Sequence, residues 1–136
     1  MSATFNVKLS PAKNTLQLIK VNALQVAPAE LEACLLEHDN IADAAVVGIL
    51  LHGEEFPRAY VALKDEAKGN VTPEQIRDWM KGKVAKHKQL VGGVKLVDEV
   101  PKLASGKIQR KLMREWSKRD APEVEKDLGS NIRAKL

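Results

Sequence analysis

The chain is predicted to fold as a small α+β domain: a compact antiparallel or mixed sheet with an N-terminal hairpin and about three helices packed on it. Three observations carry this. An apolar run from Ala44 to Leu51 and a second run from Arg58 to Lys64 flank the turn residues Gly53-Glu54-Glu55, the pattern of an antiparallel pair. Three other stretches show helical spacing with recognisable starts. The order hairpin, helix, hairpin, helix, strand, helix fits the α+β class.

Thr4 to Leu9 alternates weakly and reads as a strand, Ser10-Pro11-Ala12-Lys13-Asn14 carries turn chemistry, and Thr15 to Val21 is a second β-rich run. The first helix is expected to open at Pro28, since proline suits the first helical position, and to end near Asp39-Asn40. Leu31, Cys34 and Leu35 then share its inner face. After the central hairpin, Thr72-Pro73-Glu74-Gln75 has the form of a capping box, with Thr72 as N-cap and Gln75 three residues on. Ile76, Trp79, Met80 and Val84 follow at helical spacing and should face the core. Val94 to Val97 is a short strand and Pro101 to Lys107 a loop. The third helix is expected over Ile108 to Lys118, with Ile108, Leu112 and Trp116 inward. From Ala121 onward the chain is polar and mixed in charge, and is expected to be loosely held. Residues 1–24 thus read as a hairpin, 25–118 as the domain proper and 119–136 as a tail.

The 136 residues suit one domain, and 44% hydrophobic against 29% charged residues suits a folded, soluble chain. No run reaches the roughly 18 apolar residues of a membrane span, and the N-terminus lacks the basic and apolar regions of a secretory signal. The single cysteine, Cys34, excludes an internal disulfide and suits a reducing compartment. From Pro101 to Arg119, seven basic residues face one acid, Glu115, which points to an anionic partner. With five aromatics in the chain, a base-stacking platform for nucleic acid is not expected.

The chemistry concentrates in Pro101-Lys102-Leu103-Ala104-Ser105-Gly106-Lys107-Ile108-Gln109-Arg110. Ser105-Gly106 permits tight turning and close backbone approach. Lys107 projects a flexible cation from the entrance of a helix, placed either as a solvated surface lysine or to neutralise charge between a carboxylate and a phosphate. A Walker A loop is excluded: its first glycine is absent and Ile108, not Ser or Thr, follows the lysine. Cys34 and His38 stand four apart on one helix, so their side chains can meet as a nucleophile–base pair or simply pack. His52 and His87 are isolated, and no metal-ligand spacing occurs.

These ten residues match the Pro-Lys-x-x-Ser-Gly-Lys-Ile-x-Arg signature near the end of adenylate-forming enzymes. The stretches Gln25 to Glu32, Ile41 to Gly48, Gly53 to Val61 and Gly92-Gly93-Val94 resemble successive blocks of their 4-coumarate-CoA ligase-like branch, so the likeness runs from about Leu18 to Arg114. The resemblance implies the small C-terminal domain of an acyl- or aryl-CoA ligase, without the large domain that binds ATP and most of the acid. It implies that Lys107 is the catalytic lysine, which contacts carboxylate and nucleotide while acyl-AMP forms. It implies that Ser105, Gly106, Gly92 and Gly93 lie at the cofactor-binding surface. ATP or AMP and CoA are expected only with a large-domain partner, supplied in trans; the other expected ligand is a small carboxylic acid or acyl-AMP, with no nucleic acid, no membrane and no metal. The chain alone is not expected to act as a ligase.

The likeness weakens at the hinge. Against the family's Asp-Arg-x-Lys-Glu-Leu-Ile-Lys, the chain has Lys13 for the aspartate, Asn14 for the arginine, Leu16 for a lysine and Gln17 for the glutamate. The Lys-Gly pair that follows, whose glycine helps form the pantetheine tunnel, becomes Asn22-Ala23. Three functions therefore stay open: complementation of a separate large domain, a relic or regulatory module, and a repurposed small enzyme or small-molecule binder. The last residues, Ala134-Lys135-Leu136, resemble the small–basic–Leu peroxisomal tripeptide, so a peroxisomal location is expected, or otherwise a cytoplasmic one.

Overall fold

The computed structural model describes residues 18–135, with side chains as far as residue 126. The expected strand Thr4 to Leu9, the hinge positions Lys13, Asn14, Leu16 and Gln17, and the terminal Leu136 lie outside the described residues.

An N-terminal hairpin is present, but its two strands are β1 (Ile19–Val21) and β2 (Leu24–Val26), paired antiparallel with Val21 opposite Leu24. Leu24–Val26 is not legible as a strand from its residues. The turn between them places Asn22 at φ 51° and Ala23 at φ 70°, the left-handed pair that a two-residue hairpin turn requires. Helix α1 (Pro28–Leu35) starts on its proline as expected and buries Leu31 and Leu35.

Strands β3 (Ile41–Leu51) and β4 (Glu54–Leu63) pair antiparallel around His52-Gly53, both residues at positive φ. Each starts earlier than its apolar run suggests, because pairing includes Ile41 and Asp43 in β3 and Glu54 to Pro57 in β4. A register shift between Ile41 and Asp43 marks a bulge at the start of β3. Helix α2 (Pro73–Lys81) has the expected capping box: the Gln75 N–H donates to Thr72 Oγ1 at 3.1 Å, and the Thr72 N–H to Gln75 Oε1 at 3.0 Å. Strand β5 (Val94–Val97) pairs parallel to β4, so the sheet is mixed, in the order β3-β4-β5.

The sheet is covered on both faces, which explains why β3 reads as a continuous apolar run rather than an alternating one. Ala44, Val46, Ala59, Val61 and Leu63 face the hairpin, α1 and α2, packing on Ile19, Val26, Leu31, Leu35, Ile76 and Met80. Ala45, Val47, Tyr60 and Ala62 face Val100, Ile108 of the loop, and the last helix, α3 (Arg110–Lys135), through Met113 and Trp116. Among the described side chains of that helix, Met113, not Leu112, is the deepest.

Helix α3 departs most from expectation. It does not stop at Lys118 but continues to Lys135 through Pro122. Proline removes one backbone donor from the helix, and the local composition is polar. Tertiary contacts oppose this. Asp120 accepts from Arg58 and Tyr60 in β4, and Glu125 Oε2 accepts from the His52 N–H at 2.7 Å. Residues 120 to 125 of the expected tail are docked on the sheet and on its β3–β4 turn.

Candidate functional site on the lysine loop

Lys107 sits on a loop closed by main-chain hydrogen bonds. The Gly106 N–H donates to the Leu103 carbonyl at 2.8 Å, forming a tight turn, and the Leu103 N–H donates to the Lys107 carbonyl at 2.7 Å. Gly106 adopts φ 90°, and a Cβ there would meet nothing within 4 Å; the glycine is required by conformation, not by space. An antiparallel bridge joins Lys102 to Ile108, and the Gln109 N–H donates to the Pro101 carbonyl at 3.0 Å. The Gln109 side-chain amide also donates to the Lys102 carbonyl at 3.1 Å.

Two side-chain pins fasten this loop to the sheet. The Lys102 ammonium meets Asp43 at 2.7 Å. Arg110, the first residue of α3, donates from both terminal nitrogens to the two carboxylate oxygens of Glu32, at 2.8 and 2.9 Å. Glu32 also accepts the Val46 N–H at 2.8 Å, and Arg110 reaches the Val46 carbonyl at 3.4 Å. The pair thus satisfies the outward-facing backbone groups of Val46 on an edge strand, which would otherwise be buried without partners.

Ser105, Gly106 and Lys107 are exposed. Among the described residues, no ion pair engages Lys107. Beside it lies an open hollow of about 1050 Å³, lined by Lys102, Lys107, Arg110, Lys111 and Arg114 with Glu115 the one carboxylate. A surface so weighted with cations attracts an anion.

Gly92 and Gly93 are elsewhere, in the turn entering β5. They line a smaller hollow of about 180 Å³ with Arg58, Arg77 and Glu74, not the one beside Lys107. Their local role is packing. A Cβ on Gly92 would fall 2.5 Å from Ile49 Cγ2 and 2.7 Å from the Pro57 carbonyl oxygen, and Gly93 needs φ 88°.

A buried polar network, unseen in the sequence, stands behind that turn. Arg58 Nε donates to the Tyr60 hydroxyl at 3.0 Å, Nη1 to the Gly92 carbonyl at 2.8 Å and Nη2 to Asp120 at 3.0 Å; the Tyr60 hydroxyl donates to the same Asp120 oxygen at 2.8 Å. Burial, with the Asp120 carboxylate alongside, pushes the Tyr60 phenol up to about 12 despite Arg58. Burial opposes the charge on Asp120, but hydrogen bonds from Arg119, Tyr60 and Arg58 outweigh it and hold its carboxyl below the usual range.

Cys34 and His38 are not brought into a reactive pair. Among the described residues no hydrogen bond joins them. His38 Nδ1 accepts the Asn40 N–H at 3.1 Å, and its ring packs edge-on against Trp79 with centroids 4.9 Å apart. Burial and then Glu37 push the Cys34 thiol up, away from the nucleophilic thiolate. Among the described residues, no group of three or more His, Cys, Asp or Glu side chains is placed to hold a metal ion, and no helix is long and apolar enough to cross a membrane.

By sequence likeness this two-faced α+β domain falls in one class, the C-terminal domains of adenylate-forming enzymes. The chain belongs to the AMP-binding enzyme C-terminal domain family, which matches residues 30–107. It is 42% identical over 108 residues to an acyl-CoA ligase of Purpureocillium lilacinum, covering 77% of this chain and 28% of the relative. It is 43% identical over 105 residues to a phenylacetyl-CoA ligase of Aspergillus niger, covering 76% of this chain and 19% of the relative. Among solved structures it resembles an anthranilate CoA ligase in complex with anthranoyl-AMP, with TM-score 0.69 and 30% identity over 78% of this chain and 21% of that one. The chain therefore spans between about a fifth and somewhat over a quarter of the length of these relatives.

Proposed function

We propose that this domain serves adenylation of a carboxylic acid by delivering Lys107 to an active site whose ATP-binding and acid-binding parts belong to a large domain on a separate chain. The observation that carries this reading is the exposed Lys107 ammonium, held on a loop whose backbone is closed and pinned while the side chain stays free. Such a cation, positioned in advance, stabilises negative charge that develops between carboxylate and phosphate. Ser105 and Gly106 let the loop approach the nucleotide closely, and Gly92 and Gly93 are proposed to border the cofactor surface. ATP, AMP and CoA would be held jointly with the large domain, not by this chain alone.

The test is pyrophosphate release from ATP with a panel of aryl and fatty acids, using the purified chain alone and mixed with the isolated large domain of an acyl-CoA ligase. The chain alone should be silent and the pair active, and Lys107→Ala should lower the rate of the pair roughly 10²–10³-fold. Turnover by the chain alone, or equal rates with and without Lys107, would refute the reading.

One observation favours a second reading, a domain repurposed as a small binder or enzyme. The family's tunnel glycine is Ala23 here, and its methyl is held at positive φ in the β1–β2 turn. Genomic neighbourhood separates the two: a gene for an isolated large domain nearby supports complementation, and its absence from a biosynthetic cluster supports repurposing. With either reading we propose peroxisomal targeting by Ala134-Lys135-Leu136. An N-terminal fluorescent fusion should be punctate and become diffuse when the tripeptide is deleted; diffuse signal from the intact fusion removes the assignment.

A further inference from the structure

We infer that Glu32 and Arg110 are the positioning pair for Lys107: the reach of the lysine is set by a carboxylate on α1, far away in sequence. The inference rests on the role proposed above for Lys107. Three relationships support it. Arg110 begins α3 only three residues after Lys107, so its place fixes the stem from which the loop returns. Its guanidinium is held by two parallel bonds to Glu32, a geometry that constrains orientation as well as distance. Glu32 is in turn locked by the Val46 N–H of β3, with its side chain only 10% exposed. The other pin, Lys102 to Asp43, is more open, at 42% and 27% exposed, and is made by a single ammonium contact. Rigidity therefore passes to the loop chiefly through Arg110. Both side chains are engaged by each other and by Val46, although Arg110 also borders the hollow beside Lys107. On this inference their effect on chemistry runs through where Lys107 stands, and a displacement near 1 Å at a reacting centre can cost on the order of 10²-fold in rate.

The experiment uses Arg110→Met, which keeps a long side chain, and Glu32→Gln, which keeps an acceptor for Val46 while losing the charge. Backbone 15N relaxation on the full chain reads the order of the Leu103, Gly106 and Lys107 amides, with Val61 and Ile76 as core references. Both variants should loosen the loop amides and leave the references ordered. If Arg110→Met fails to fold, Glu32→Gln carries this arm alone. In the reconstituted pair, Arg110→Met should lower kcat roughly 10²-fold with KM unchanged. In a Lys107→Ala background the same substitution should have almost no further effect, because residues that act through one group are not additive. Loop amides as ordered as wild type, or a loss that adds fully to that of Lys107→Ala, would overturn the inference. If the pair shows no dependence on Lys107 at all, the functional reading has failed, and the relaxation arm still decides whether Glu32 and Arg110 order the loop.

Discussion

Arg110 grips both oxygens of Glu32, at 2.8 and 2.9 Å, while the same carboxylate takes the Val46 N–H at 2.8 Å. The two partners are therefore unequal. Removing Arg110 leaves a carboxylate that still has the Val46 amide and gains water where the partly exposed arginine side chain is cut away. Removing Glu32 orphans both a guanidinium and a buried amide. Glu32→Ala is expected to destabilise by on the order of 3 kcal/mol and Arg110→Ala by clearly less. Urea unfolding of the two variants gives the order directly, and the reverse order would contradict this account of the clamp.

Tyr60 is the only tyrosine in the chain, so its ionisation can be followed by phenolate absorbance without interference from another. Its phenol is held at about 12 against an ordinary 10.0. The folded state thus prefers the neutral form, and the stability this brings is present below about pH 10 and lost as the pH rises toward 12. The native chain should show a phenolate transition near 12, and the urea-unfolded chain one near 10. A native transition at 10 would mean that the Tyr60 phenol is not buried against the last helix.

Asp120 titrates in the opposite sense. Its carboxyl lies below the usual range in the fold, so the stability it contributes is present above about pH 4 and is lost as the pH falls through the folded value. Asp120→Asn should lower stability at neutral pH and flatten the acid limb of the stability profile. It should also shift amide exchange in residues 119–125, because Asp120 ties that part of α3 to β4.

The two turns flanking the sheet should respond oppositely to glycine chemistry. Ala23 pays for its methyl at φ 70°, so Ala23→Gly should raise stability by about 0.5–1 kcal/mol, the left-handed strain relieved less the entropy of a freer unfolded chain. Gly92→Ala should lower it by about 1–3 kcal/mol, since the new methyl meets the Pro57 carbonyl, a backbone atom that cannot step aside. Thermal melts of both variants check the pair of signs.

Much of this protein was determined locally and could be read from its residues. Pro28, the Thr72–Gln75 capping box, the apolar β3 run and the Ser105-Gly106-Lys107 turn each depend on neighbours a few positions away, so α1, α2, the central pair and the lysine loop followed from the sequence, and the ordered blocks around them identified the family. What the tertiary structure alone decided depends on partners far along the chain. Leu24–Val26 is a strand because it pairs with Ile19–Val21 and buries Val26. The polar segment after Lys118 is helical because Arg58, Tyr60 and His52 receive Asp120 and Glu125, 60 to 73 residues distant. The final arginine of the signature clamps Glu32, 78 residues earlier. A carboxylate between Leu31 and Leu35 was a usable hint that a cation must meet it, but not of which one: composition shows that a buried charge needs a partner, and only the folded chain brings the two within hydrogen-bonding distance.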